Sequence, residues 1–98
     1  MPFKLVFSPE AQNDLQEIYD WYETKLSGLG ERFIDEVEKR LFQLAHTPGI
    51  GPIKYEDIRC SLIPDFPYLI HYGVDLLQKQ IIAYRIFHTS RKPLWDQD

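Results

Sequence analysis

The densest group of chemically capable side chains lies near the C-terminal end, in His88-Thr89-Ser90-Arg91-Lys92-Pro93-Leu94-Trp95. It brings together an imidazole, two hydroxyls, two bases and an indole. Such a set can bind a phosphate or a protein carboxylate, and an imidazole can move protons near neutral pH. The same residues also read as a strand end with a solvated tail, in which Trp95 folds back over a core edge. Arg59 is the second candidate, flanked by Ile58 and Cys60. On a strand it is either an ordinary exposed arginine or a positive group on an open sheet face. His71, between Ile70 and Tyr72, suits a hydrogen-bonded sheet histidine better than a base.

Other chemistries find no pattern to rest on. The single cysteine, Cys60, allows no internal disulfide, and no Cys/His pair has zinc-ligand spacing. Gly49 and Gly51 stand beside prolines in a link and do not form a phosphate-binding loop. Nothing points to a Ser-His-Asp triad, and Asp35/Glu36 lie on a helix as solvated carboxylates. The expectation is therefore no cofactor and no metal.

The elements that position these residues follow from periodicity. Residues 3–7 read as a strand. Ser8-Pro9-Glu10 starts a helix, with Ser8 as cap and Pro9 at the first helical position. Leu15, Ile18, Tyr19, Tyr22 and Leu26 recur at helical spacing and make its apolar face. Glu10, Asp14, Glu17, Asp20 and Glu23 line much of the rest and read as a solvated face. Ser27-Gly28-Leu29-Gly30 breaks the helix. A second helix from about Glu31 to His46 buries Phe33, Val37, Leu41, Leu44 and Ala45, with Ile34 beside them. So short a link predicts an antiparallel helical hairpin.

The stretch from Gly49 to Asp57 reads as loop. Strands follow at 58–63, 68–74 and 79–88, joined by short links that demand antiparallel pairing. Alternation predicts that Cys60 and Leu62 face the helices and that Arg59 and Ser61 face away. One register sets Arg59 beside Ile70 and Tyr72, and a slip of one sets it beside His71. The last strand carries apolar residues at both parities, so both its faces are partly covered. The result is one α+β domain of order β-α-α-β-β-β, with the helical hairpin on one face of a mainly antiparallel sheet.

Composition bounds the partners. The 98 residues suffice for one core, and no apolar run is long enough to span a membrane. A cytoplasmic location follows as an expectation. The formal charge is −4, and the excess is local: residues 1–49 hold nine acids and five bases, whereas residues 50–98 hold six of each. The stretch from Arg85 to Lys92 carries Arg85, Arg91 and Lys92 with no acid. An acidic body with so small a basic patch is poorly suited to broad phosphate binding.

The order of these pieces resembles the RelE/ParE superfamily of toxins from bacterial type II toxin–antitoxin systems, which includes plasmid stabilisation proteins. The resemblance rests on Ser8-Pro9-Glu10-Ala11 with Asp14-Leu15 and Ile18, then on Leu41, Leu44 and Pro48-Gly49. It continues through Arg59, Tyr68-Leu69-Ile70-His71-Tyr72-Gly73-Val74 and Ile86-Phe87-His88-Thr89-Ser90-Arg91. It implies a growth-inhibiting toxin neutralised by a cognate antitoxin. One branch of the superfamily cleaves messenger RNA in the ribosome, using a basic cluster and a tail tyrosine. Its strand lysines fall near Arg59 and Ser61, its next arginine falls on Leu69, and its tail arginine matches Arg91. Its tail tyrosine has no match, and Trp95 has no proton to offer. The other branch, ParE-like, inhibits DNA gyrase, and the resemblance favours it. Arg91, Lys92, Trp95, Arg59 and Arg85 are then the target-binding residues. The alternatives are a ribosome-dependent endoribonuclease using Arg59, His88 and Arg91, or a degenerate member that only binds antitoxin.

Overall fold

Ser8 begins the first helix by working in two directions. Its hydroxyl accepts from the Ala11 amide at 3.0 Å and donates to the Tyr84 carbonyl at 2.7 Å. The helix start is thus tied to the last strand of the sheet. This arrangement comes from a computed structural model that describes residues 2–47, 53–55 and 57–90. The elements are β1 (Lys4–Phe7), α1 (Pro9–Lys25), α2 (Leu29–His46), β2 (Ile53–Tyr55), β3 (Ile58–Leu62), β4 (Tyr68–Asp75) and β5 (Gln80–His88). The sheet order is β1-β5-β4-β3-β2, with β1 parallel to β5 and every other pair antiparallel. The helical hairpin covers one face, as the periodicity predicts. The stretch read as loop contains one further short strand, β2, at the sheet edge. Three residues between breakers are too few to show a period.

The link between the helices is short because a carboxylate organises it. Glu23, on α1, accepts from the Gly28 amide at 3.1 Å and from the Gly30 amide at 2.7 Å. It thereby satisfies amide groups that the start of α2 leaves open. Gly28 sits at φ +91°, where a side chain is disfavoured. At Gly30 a Cβ would come within 2.6 Å of the Tyr19 carbonyl, so the helices cross at a distance only glycine permits. The core lies between this hairpin and the sheet. Phe33, Val37, Leu41 and Leu44 from α2 meet Ile18 and Ala11 from α1, and Ile63, Ile70, Tyr72, Ile81, Ala83 and Ile86 from the sheet side.

The two-parity pattern of the last strand has a structural cause. The β4–β5 register shifts between His71, opposite Arg85, and Tyr72, opposite Ala83. Tyr84 is the extra residue of a β-bulge, and the bulge changes the phase of the strand. Ile81 and Ala83 before it, and Ile86 after it, therefore all reach the helix side. Among the described residues no helix is long and apolar enough to cross a membrane.

Candidate functional site

Past Ala83, β5 loses its neighbour β1, which pairs only as far as Phe7. The exposed edge is served by side chains of α1. Ser8 takes the Tyr84 carbonyl, and the Asp14 carboxylate accepts from the Ile86 amide at 2.9 Å. Asp14 also receives both arms of Arg85, Nε at 2.8 Å and a terminal nitrogen at 3.0 Å. This is a forked pair in which the carboxylate is buried and the arginine is about a quarter exposed. Asp14 is therefore not part of a solvated face, as helical periodicity suggested. It replaces the missing strand. The fork and the nearby acids raise the Arg85 guanidinium above its ordinary value, the hydrogen bond to Asp14 being the main cause. The Nε and one terminal nitrogen of Arg85 are thereby held inside the fold.

The end of β5 carries His88. Its Nδ1 accepts from the Ser90 amide at 3.0 Å, with the Ser90 hydroxyl 2.8 Å away. An amide can only donate, so neutral His88 must hold its proton on Nε2. In this arrangement the Nδ1 of His88 is engaged by Ser90 and its Nε2–H is a hydrogen-bond donor. Its ring meets the edge of Tyr68 at 5.2 Å. A cleft of about 240 Å³ opens beside it, lined by Asp14, Glu17, Ile18, Trp21, Tyr68, Ile86 and His88. Two of these residues are acids, a poor wall for a phosphate.

Arg59 stands elsewhere. It pairs with Tyr72, while Ile63 donates to the Tyr68 carbonyl, so the unslipped register holds. Opposed residues share a face. Arg59 and Ser61 therefore lie on the same side as Ile70, Tyr72 and Ile63, the helix side. The expected facing is reversed. Leu62 is 54 % exposed on the other side, with Cys60 and His71. Alternation distinguishes two faces but does not say which one the helices cover, and here the helices pack chiefly on β1 and β5. That leaves β3 at the margin of their cover.

His88 pairs with Tyr68, four positions from Tyr72 along β4 and one strand further across. The Cα atoms of Arg59 and His88 are then about 16 Å apart. Ser61, Ile70 and Ile86 fill the same face between them. Arg59 and His88 thus stand on opposite flanks of β4, four residues apart along it. Arg91, Lys92 and Trp95 lie outside the described residues, and Arg85 is held by Asp14. Among the described residues no group of three His, Cys, Asp or Glu side chains could hold a metal ion.

His71 is fully buried on the face away from the helices, its ring 5.1 Å from that of Phe87. Burial lowers its pKa below 6.5, and Arg85 nearby acts in the same sense, against a backbone hydrogen bond and Asp14. The folded chain thus binds fewer protons than the unfolded chain. Stability is complete above about 6.5 and falls as pH drops through that value. Urea unfolding should show a loss of about 1 kcal/mol between pH 7.5 and 5.5. A His71→Gln variant should lose that dependence, and an unchanged slope would reject the assignment.

The same architecture occurs in solved toxins. A chain of the chromosomal ParDE system from P. aeruginosa superposes with a TM-score of 0.75 at 20 % identity, over 88 % of this chain and 95 % of that one. The isolated E. coli RelE toxin gives 0.65 at 14 % identity, over 95 % and 90 %. The RelBE2 toxin–antitoxin complex from Mycobacterium tuberculosis gives 0.63 at 16 % identity, over 90 % and 99 %. No curated protein matches. At these identities the likeness speaks for the fold. The family model described as the ParE toxin of the type II toxin–antitoxin system parDE matches residues 5–93, from β1 through the segment after β5. A match of that extent, on a β-α-α-sheet frame shared with ParDE and RelE structures, places the chain in the ParE toxin family of type II toxin–antitoxin systems.

Proposed function

We propose that this toxin is held inactive by a cognate antitoxin protein and, when released, inhibits growth by binding DNA gyrase rather than by cutting RNA. The observation that carries this reading is the separation of Arg59 and His88, the two described candidates for phosphate handling. Arg59 and His88 lie on different strands about 16 Å apart. His88 has its Nδ1 engaged by Ser90 and lines a cleft with two acids in its wall. Stabilising a scissile phosphate requires donors that converge on it, and two strand positions so far apart favour that poorly. The ParDE context of the structural neighbour supports an antitoxin partner.

Arg91, directly after the described end of the chain, is proposed as the anchor for the target, with Lys92 and Trp95 beside it. Arginine and tryptophan are enriched at binding hot spots, where truncation costs about 2 kcal/mol or more. The chain should be induced alone in cells while DNA-damage signalling and protein synthesis are followed. DNA-damage signalling ahead of any fall in translation is the expected result. Arg91→Ala should relieve growth inhibition while leaving the melting temperature nearly unchanged. Immediate translation arrest with cleaved messenger RNA, lost in Arg59→Ala or His88→Ala, would replace this reading with the ribonuclease one. A chain that is harmless when expressed alone but still binds its antitoxin would identify a degenerate member.

A further inference from the structure

The sheet face away from the helices carries a groove at the β4–β5 hairpin end. Its volume is about 850 Å³. Ile58, Gly73 and Ile82 form the floor, one from each of three adjacent strands. Tyr84 lies across Gly73, where an added Cβ would come within 2.8 Å of its ring. Glycine at that position is what lets the ring lie flat against the sheet. The outer wall is the hairpin tip, Leu76 and Leu77, which are 73 % and 97 % exposed.

Two leucines at a turn tip have no part in holding the fold. Tight turns are built by Gly, Asn, Asp, Ser and Pro. In this turn the geometry comes from Asp75, which accepts from the Gln78 amide at 3.0 Å, and from Lys79 at φ 53°. The leucines are displayed on a fixed frame beside an apolar floor, an arrangement typical of interaction surfaces.

The rim sets the chemistry of the occupant. Glu10, Asp57 and Asp75 surround the groove. Among the described residues the one base in its lining is Arg85, and its Nε and one terminal nitrogen are held by Asp14. The groove is thus apolar within and negative around. A nucleic acid would set its phosphates against these acids. A second copy, joined about a two-fold axis, would set the same acids against themselves. The fitting occupant is a protein segment with aliphatic side chains flanked by lysine or arginine.

We infer that this groove seats a basic amphipathic segment of the cognate antitoxin, with its aliphatic side chains between Leu76, Leu77 and Tyr84 and its bases toward Glu10, Asp57 and Asp75. The inference rests on the toxin–antitoxin reading above. A permanent partner suits the site better than a transient target, because long-lived interfaces have the more apolar centres.

The test uses the full chain and the purified protein encoded by the adjacent reading frame, with affinity measured by titration calorimetry at low and moderate salt. Replacing both tip leucines (Leu76→Ser with Leu77→Ser) should weaken binding by about tenfold per leucine. Folding should hold, since both side chains are exposed, and an unchanged melting temperature checks this. Asp57→Lys should weaken binding severalfold and flatten its salt dependence. If the parent chain forms no complex with that protein, the toxin–antitoxin reading fails and the inference fails with it. If the parent binds and the leucine variant binds within about twofold, the inference alone is overturned. Self-association of the parent that the leucine variant abolishes would assign the groove to a second copy and also overturn it.

Discussion

Asp14→Ala should cost the fold about 3 kcal/mol and lower the melting temperature by about 15 °C. The carboxylate is only 6 % exposed and accepts three hydrogen bonds, two from Arg85 and one from the Ile86 amide. Its removal leaves a partly buried guanidinium without its counter-charge and strips a buried sheet amide of its acceptor. The arginine is about a quarter exposed, which keeps the expected loss at the lower end for a broken buried pair. Asp14→Asn should fall between the two, since an amide oxygen can still serve Ile86 but cannot neutralise Arg85. A double-mutant cycle with Arg85→Ala should show strong coupling. Chemical denaturation of the four proteins decides the matter. A loss below about 0.5 kcal/mol, typical of a solvated surface acid, would remove Asp14 from its place as a strand substitute.

Phe33→Ala should be the most damaging single truncation, at about 3–5 kcal/mol. Phe33 has no exposed surface. Its ring lies 5.2 Å from that of Phe66, 5.5 Å from Tyr68 and 5.7 Å from Tyr22, mostly tilted or edge-on. It joins both helices to the β3–β4 connection at one point. Alanine there would open a cavity among rings that are also packed on one another, so little collapse is available to fill it. A domain of this size has about 5–15 kcal/mol of stability in total, so the variant should be largely unfolded in cells or barely soluble. Phe33→Leu, which retains most of the volume, should cost less than half as much. Urea midpoints of the two variants test this, and near-equal losses would mean that ring geometry rather than volume governs the site.

The two predictions lie on opposite sides of what could be read from the chain alone. Phe33, Val37, Leu41 and Leu44 recur at helical spacing, and all four are buried in the structure. Ser8 and Pro9 mark the start of α1, and the breakers at Ser27 to Gly30 impose a tight helical hairpin. These are local signals: hydrophobic period, capping chemistry and turn residues act within a few positions of one another. Together with short links between strands they determine an α+β hairpin-on-sheet domain. The residue order that resembles RelE/ParE toxins was legible by the same means, and the family match extends over it.

Contacts between distant parts of the chain were decided by the tertiary structure. Asp14 and Arg85 are 71 residues apart, and nothing within one helical turn of Asp14 distinguishes it from the solvated acids around it. Its burial follows from the early end of β1, which leaves the β5 edge to be served by α1. The bulge at Tyr84 changes the phase of β5, and strict alternation cannot place such a shift. The facing of Arg59 depends on which side of β3 the helices come to cover, and alternation alone leaves that sign open. The groove beside Leu76 and Leu77 exists because three strands, separated in sequence by their links, present Ile58, Gly73 and Ile82 side by side. Residue types and local spacing determined every element but β2, and carried the family resemblance. Which side chains meet was settled by sheet register and by the face on which the helical hairpin came to rest, because both depend on the packing of the whole domain.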